Sequence, residues 1–356
     1  MAKNPFENFY PVPSAEELID IAFGRSSKKT APIPQRFDNV LKAKRNEVNR
    51  IQNVNSYIVN RIKNIIQSVP NLDELHPFYQ ELSHLLVDKE ILKNNLGRLN
   101  GIIPVLQKLL SSKIREINQQ TSSNQCSIVR RQYYARVASV IKAQKNTLEY
   151  LEKARRQLKS IPVIDTELPA AVIAGYPNVG KSSLVRAIST AKPQIREYPF
   201  TTKEIIIGLY KDAQDTKLFQ LIDTPGILDR PMIERNHIEK KAILALRTIS
   251  NIIIFIFDPS KTSGYSIHHQ ISLFKEILHE FINKVGVPCI IIFNKMDLAT
   301  DEEMEELQKK IEPEIGNLSI IRTNAKDKKN LELLIEKILD VIKDHGLFEL
   351  DLSKFR

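Results

Sequence analysis

Apolar residues at Val48, Ile51, Val54, Ile58, Ile62 and Ile65 recur at steps of three and four, the spacing of one buried helical face. The run begins near Arg36, and Pro70 closes it. A short connection, NLDELHPFYQEL, leads to a second helical stretch that Gly101 and Pro104 are expected to interrupt before it resumes towards Gln119. After the polar loop QQTSSNQ, one further helix is predicted from about Val129 to Leu158, with Tyr134, Val137, Ile141, Leu148 and Leu151 on one face. Long helices joined by short loops pack antiparallel, so residues 36–160 read as a helical bundle. Ahead of it, Pro5, Pro11, Pro13, Pro32 and Pro34 surround one amphipathic piece, Ala15 to Phe23, and residues 1–35 read as an extended arm.

Beyond a linker at 161–169, bracketed by Pro162 and Pro169, the period changes. Six short apolar strands, AAVIAG, EIIIGLY, KLFQLID, NIIIFIFD, PCIIIFN and LSIIRT, alternate with helical segments after Lys181, Ile233, Ile267, Asp301 and Asn330. This βαβα order predicts a six-stranded, mostly parallel sheet with helices on both faces over residues 170–345, followed by a tail at 346–356. EIIIGLY and KLFQLID, joined by KDAQDT, are expected to form an antiparallel hairpin at the sheet edge. The fold class is thus an α/β P-loop domain preceded by an all-α bundle.

Composition adds little until charge is located along the chain. Of the 52 Lys and Arg and 42 Asp and Glu, residues 1–165 hold 26 basic against 15 acidic, and the remainder 26 against 27. The surplus of positive charge lies wholly in the first half, as expected for a polyanionic partner such as nucleic acid. A solvated basic helix face is the competing reading. The longest apolar run, Ile252 to Phe257, is too short to cross a bilayer. The first residues carry no apolar stretch of signal-peptide length, so the expected location is cytoplasmic. Cys126 and Cys289 form neither a disulfide framework nor a zinc motif. None of the seven His has metal-ligand spacing, and His268 and His269 read as polar surface at a helix start.

Chemistry concentrates at the ends of the predicted strands, where ligands of doubly wound sheets bind. Gly175-Tyr176-Pro177-Asn178-Val179-Gly180-Lys181-Ser182, followed by Ser183, matches a phosphate loop between a strand and a helix. Its amides and helix N-terminus would face a β-phosphate, Lys181 would neutralise β- and γ-phosphate oxygens, and Ser182 would offer a hydroxyl to magnesium. Asp223-Thr-Pro-Gly226 places a carboxylate for magnesium and an amide for the γ-phosphate. Of Thr201 and Thr202, the second is favoured as another magnesium ligand. Asn294-Lys295-Met-Asp297 reads the base: the Asp297 carboxylate can accept from N1 and N2 of guanine, a donor pair that adenine lacks. Asn294 is expected at the base's other edge and the Lys295 stem over its face. Asn324, Ala325 and Lys326 follow the last strand, where the Ala325 amide is expected to meet the guanine carbonyl. The ligands implied are GTP or GDP with Mg2+.

The position after Gly226, where Ras-type enzymes carry a water-orienting Gln, holds Ile227. Hydrolysis is therefore expected to be slow without a partner. Asn178 either helps to hold a potassium ion beside the phosphates or braces the loop turn, and Arg196 and Arg230 are weaker candidates to act in cis.

The blocks GYPNVGKSS, YPFTTK, DTPGILDRP, ERNHIEKKAILAL and DPSKTSGYSIHHQ resemble the nucleolar GTP-binding protein, or Nog-type, family of Obg-related GTPases. LDELHPFYQEL and DKEILKNNLGRLN resemble that family's helical N-terminal domain. The chain stops at Arg356, where eukaryotic members continue, and so resembles the short archaeal form. The resemblance implies assembly of the large ribosomal subunit, with the N-terminal half on ribosomal RNA and a monomeric chain away from membranes. The alternatives are a protein-binding regulatory GTPase and a GTP-bound scaffold with negligible hydrolysis.

Overall fold

A computed structural model describes residues 3–28, 38–198, 204–224, 226–231, 237–315, 318 and 320–346. Its first half is helical: α1 (Ala15–Lys28), α2 (Asn39–Gln67), α3 (Pro77–Leu86), α4 (Lys89–Gln119), α5 (Ser123–Lys142) and α6 (Lys145–Lys159). Side chains define several starts. Asp38 caps α2 by accepting from Asn39 N–H at 2.7 Å, and Asp88 caps α4 from Ile91 N–H at 2.9 Å. The stripe read along α2 is its core face, with Ile51, Val54, Ile58, Ile62 and Ile65 buried against α4 and α5.

Three local expectations fail here for identifiable reasons. First, α4 runs through Gly101 and Pro104, because Leu99, Ile102, Ile103 and Leu106 are buried on either side while Pro104 keeps its ring exposed. Tertiary packing outweighs the lost hydrogen bond. Second, the helix expected from Val129 to Leu158 is two helices, α5 and α6, broken at Ala143–Gln144, where Gln144 N–H closes a tight turn on Ile141 O at 2.9 Å. Ile141 and Leu148 lie seven residues apart, so the apolar stripe continues across the break and hides it. Third, the connection NLDELHPFYQEL contains α3.

The chain divides into two compact units, and neither matches a simple cut near residue 160. Pro5–Glu74 and Leu86–Lys159 form one unit; Leu75–Leu85 and the chain from Ser160 form the other, with the segment ending at Asn4. Of the residues read as an arm, 5–28 are thus part of the helical unit. Phe6, Phe9, Leu18 and Ala22 are buried, Tyr10 N–H donates to Ser68 Oγ at 2.9 Å, and the Phe23 ring stacks on Tyr134 at 4.4 Å. Glu152 fixes the same stretch by accepting from Val12 N–H at 3.2 Å.

In the second unit, α3 is held through Tyr79, whose hydroxyl donates to Ile164 O at 3.0 Å and accepts from Ile164 N–H at 3.1 Å. The sheet has seven strands, not six: β1 (Ala170–Ala174), β2 (Gln194–Glu197), β3 (Glu204–Lys211), β4 (Lys217–Asp223), β5 (Ile252–Phe257), β6 (Cys289–Phe293) and β7 (Ile320–Arg322), in the order β2-β3-β4-β1-β5-β6-β7. The extra strand, β2, pairs antiparallel with β3 and displaces the expected hairpin from the edge. All four of its residues are exposed, so it has no apolar alternation to reveal it. β1, β4, β5, β6 and β7 pair in parallel, with α7 (Lys181–Ile188), α8 (His237–Arg247), α9 (Ile267–Ile277), α10 (Asp301–Ile315) and α11 (Leu331–Asp344) as the helices of this unit. No helix among the described residues is long and apolar enough to cross a membrane.

Hydrogen bonds from Arg155 hold the Glu152 carboxyl down at about 2, against burial and with help from Arg156 and Val12 N–H. A carboxyl depressed from its ordinary 4.5 stabilises the folded chain above about pH 4.5, and that contribution fades as pH falls towards 2. Glu152→Gln should therefore lower stability by roughly 1–2 kcal/mol at pH 7 in urea unfolding followed by helical circular dichroism, with the difference shrinking at pH 3.

Candidate nucleotide site

Residues 175–180 leave β1 and turn into α7, and two glycines make the turn possible. Gly175 has φ 141°, and a Cβ there would lie 2.6 Å from Ile256 O. Gly180 has φ 104°, and a Cβ there would collide with Asn294 Nδ2. Asn178 also sits in the left-handed region, at φ 63°, which Asn tolerates better than most residues. Its side chain is exposed and forms no hydrogen bond among the described residues, so the loop is not braced through it.

The Lys181 ammonium is buried and donates to Gly175 O at 2.6 Å and Tyr176 O at 2.7 Å, which curls the loop around it. Burial pushes its pKa below the ordinary lysine range, against the charges of Asp223 and Asp229. Ser182 Oγ–H donates to Asp223 Oδ2 at 2.5 Å. Asp223 is fully buried, and burial pushes its carboxyl up against that hydrogen bond and the Lys181 charge. Its other oxygen, Oδ1, is buried with no hydrogen-bond partner among the described residues. A buried carboxylate oxygen lacking a donor, next to a hydroxyl, fits the hard oxygen set of Mg2+.

The turn after Asp223 is anchored to the phosphate loop, since Leu228 O accepts from Gly175 N–H at 3.1 Å. Ile227 is wholly buried, so its side chain belongs to the core. Gly226 N–H, the amide expected to meet a γ-phosphate, donates to Asp229 Oδ2 at 2.6 Å.

The segments expected to read the base are tied together by Asn294. Its Nδ2 donates to Val179 O at 2.8 Å, and its Oδ1 accepts from Ala325 N–H at 3.1 Å and Thr323 Oγ1–H at 3.3 Å. The structure thus engages both ends of an amide expected at the base, together with the Ala325 amide expected at the guanine carbonyl. Asn324 is likewise structural, accepting from Lys326 N–H and Asp327 N–H and donating to Asp327. Lys295, at φ 58°, donates to Asp258 Oδ2 at 2.8 Å and Thr262 Oγ1 at 2.9 Å.

Pro177, Asn178, Gly180, Lys181, Ser182, Ser183, Gly226, Asn294, Lys295, Asp297, Asn324, Ala325 and Lys326 line one cleft of about 720 Å3 with Asp229 and Leu298. Gly175, Tyr176, Val179 and Asp223 do not line it. Tyr176 turns its ring to Tyr265, at 4.4 Å between centroids, and offers the loop its backbone. Thr201 and Thr202 lie outside the described residues. Arg196 is exposed on β2 and Arg230 pairs with Glu239 at 3.6 Å; neither lines the cleft. His268 and His269 are exposed in the first turn of α9, as the sequence suggests.

Sequence reasoning missed Asp229 and Asp258. Asp229 follows a motif whose interest seemed to end at Ile227. Asp258 closes β5, and its position at a strand end was the available signal. Its carboxylate accepts from Ser260 Oγ–H, Thr262 Oγ1–H, Ser263 N–H and Lys295. Burial opposes that charge, but the Lys295 ammonium and the Ser260 and Ser263 donors outweigh it and hold the carboxyl below its usual range.

Residues 6–165 match the NOG1 N-terminal helical domain, and residues 170–295 match the 50S ribosome-binding GTPase model. Nucleolar GTP-binding protein 1 of Drosophila melanogaster is 31% identical over 97% of this chain, and that of Encephalitozoon cuniculi is 31% identical over 96%. The chain belongs to the nucleolar GTP-binding protein family. It spans 50% and 63% of those two relatives. An uncharacterized protein of Methanocaldococcus jannaschii is 34% identical over 85% of this chain and 83% of its own length. Within the family, the second half of the chain is a P-loop GTPase domain.

Gly180→Ala should weaken binding of a fluorescent GDP analogue on the order of tenfold to a hundredfold, because the left-handed backbone and the Asn294 amide both oppose a Cβ. Asp258→Asn, which lies behind the cleft lining, should weaken it by a smaller factor, about threefold to tenfold, by loosening Lys295. Equal affinity in either variant would show that the link drawn for it is absent.

Proposed function

We propose that this chain is a GTP-hydrolysing assembly factor for the large ribosomal subunit, whose basic helical half docks on ribosomal RNA. The observation that carries this reading is the separation of two chemistries in one chain: a cleft lined by the phosphate-loop and Asn294–Asp297 residues after residue 170, and the whole surplus of positive charge before residue 165. Duplex and folded RNA present closely spaced phosphates, and a surplus of this kind lowers the free energy of binding by releasing their counterions. The ribosome-binding GTPase model matching residues 170–295 and the nucleolar names of the relatives support the same direction.

In this reading, GTP lies with its phosphates on the loop from Gly175 to Ser183. Lys181 trades its two carbonyl partners for β- and γ-phosphate oxygens, and Asp297 accepts from the guanine edge. Ser182 and Asp223, with Thr202, would hold Mg2+, which would screen the charge of the phosphates. Gly226 offers its amide to the γ-phosphate. The Asn178 side chain would help to hold a potassium ion, which would supply the positive charge that other systems take from arginine. With Ile227 in the core, no side chain at that position orients water, and turnover is slow until the pre-ribosomal particle binds. Two buried free thiols, Cys126 and Cys289, and dependence on GTP suit the reducing cytoplasm.

A second reading, a GTP-bound scaffold with negligible hydrolysis, is favoured by the burial of Ile227. Single-turnover hydrolysis separates the two. The assembly-switch reading expects acceleration of at least about a hundredfold by large-subunit precursors, and turnover higher in potassium than in sodium. No acceleration favours the scaffold, and equal rates in the two salts remove the ion from Asn178. Co-sedimentation with large-subunit particles should require GTP, and falling affinity with salt should report the phosphate contacts. Retention by an acidic protein with no RNA present would instead support a protein-binding regulator.

A further inference from the structure

We infer that Asp229 is a built-in competitor for the terminal phosphate of GTP, and so sets how strongly this site prefers GTP over GDP. The inference rests on the proposed placement of the nucleotide.

The geometry is specific. Gly226 N–H is the backbone donor that the γ-phosphate would engage, and Asp229 Oδ2 takes that donor at 2.6 Å. The carboxylate is 8% exposed and faces the same cleft as Lys181 and Ser182. A carboxylate on a backbone amide is a charge-assisted contact, and a phosphate oxygen would offer the same chemistry. The two anions therefore exclude each other twice, once by sharing one donor and once by like charge.

The position of Asp229 is fixed rather than incidental. Leu228, its neighbour, is bound through its carbonyl to Gly175 N–H at 3.1 Å, and Ile227 N–H and Leu228 N–H both donate to Thr224 O. These bonds hold the turn against the phosphate loop with Ile227 in the core. Asp229 also acts on the loop at a distance, since its charge favours the protonated forms of both Lys181 and Asp223.

GDP has no γ-phosphate and leaves the Asp229–Gly226 contact in place, whereas GTP must break it. The contact thus subtracts from GTP affinity alone, while the carboxylate charge opposes both nucleotides.

The test compares affinities of GDP and a non-hydrolysable GTP analogue, both with Mg2+, for the unsubstituted chain, Asp229→Ala and Asp229→Asn. The affinity ratio of analogue to GDP should rise about tenfold in Asp229→Ala, since hydrogen bonds to charged groups are worth about that factor or more. Asp229→Asn, of the same shape but neutral, should raise it by roughly threefold, and it carries the test alone should the alanine variant fail to fold. An unchanged or lowered ratio in a folded variant that binds GDP overturns the inference and leaves the site reading intact. Failure of the unsubstituted chain to bind either nucleotide overturns both.

Discussion

Three loops that leave three different strands are held in register by one side-chain amide. Asn294, at the end of β6, donates to the phosphate loop after β1 and accepts from the segment after β7. Asn294 is buried, and each of those polar groups would lose free energy if left unpaired, so the three loops are fixed together or not at all. The glycine at position 180 follows from this arrangement, because the amide occupies the space a Cβ would need. The loop after β1 and the segments after β6 and β7 are therefore one mechanical unit, although Val179 and Asn294 are 115 positions apart.

A second constraint is the price of burying charge. Lys181, Asp223 and Asp258 are all removed from water, and each is surrounded by compensating partners. Lys181 and Asp258 are held by backbone and side-chain groups of this chain. Asp223 accepts from Ser182 on one oxygen, while the other has no donor among the described residues.

Six of the seven strands and the placement of each motif at a strand end were readable from the chain, because buried parallel strands are short apolar runs and the motifs punctuate them. What escaped was whatever lacked periodic apolar signal or depended on distant packing. β2 is exposed throughout. The break between α5 and α6 falls where the stripe happens to continue. Pro104 is tolerated because neighbouring helices bury the residues beside it. The Lys295–Asp258 contact and the double engagement of Asn294 join distant segments that no local spacing encodes, whereas Asp229 meets Gly226 only three residues away, outside any motif read from the chain.

The pairing of Tyr79 with Ile164 bears on how the chain can be made. During synthesis, α3 emerges among helices of the first unit, yet its backbone-and-hydroxyl partner follows 85 residues later. Until residues from Ser160 onward are made, Tyr79 lacks the backbone groups with which it pairs. Long sequence separation of this kind slows folding. A shortened chain ending at Lys159 would leave that hydroxyl without both of its Ile164 partners, because α3 is translated within one unit and belongs to the other.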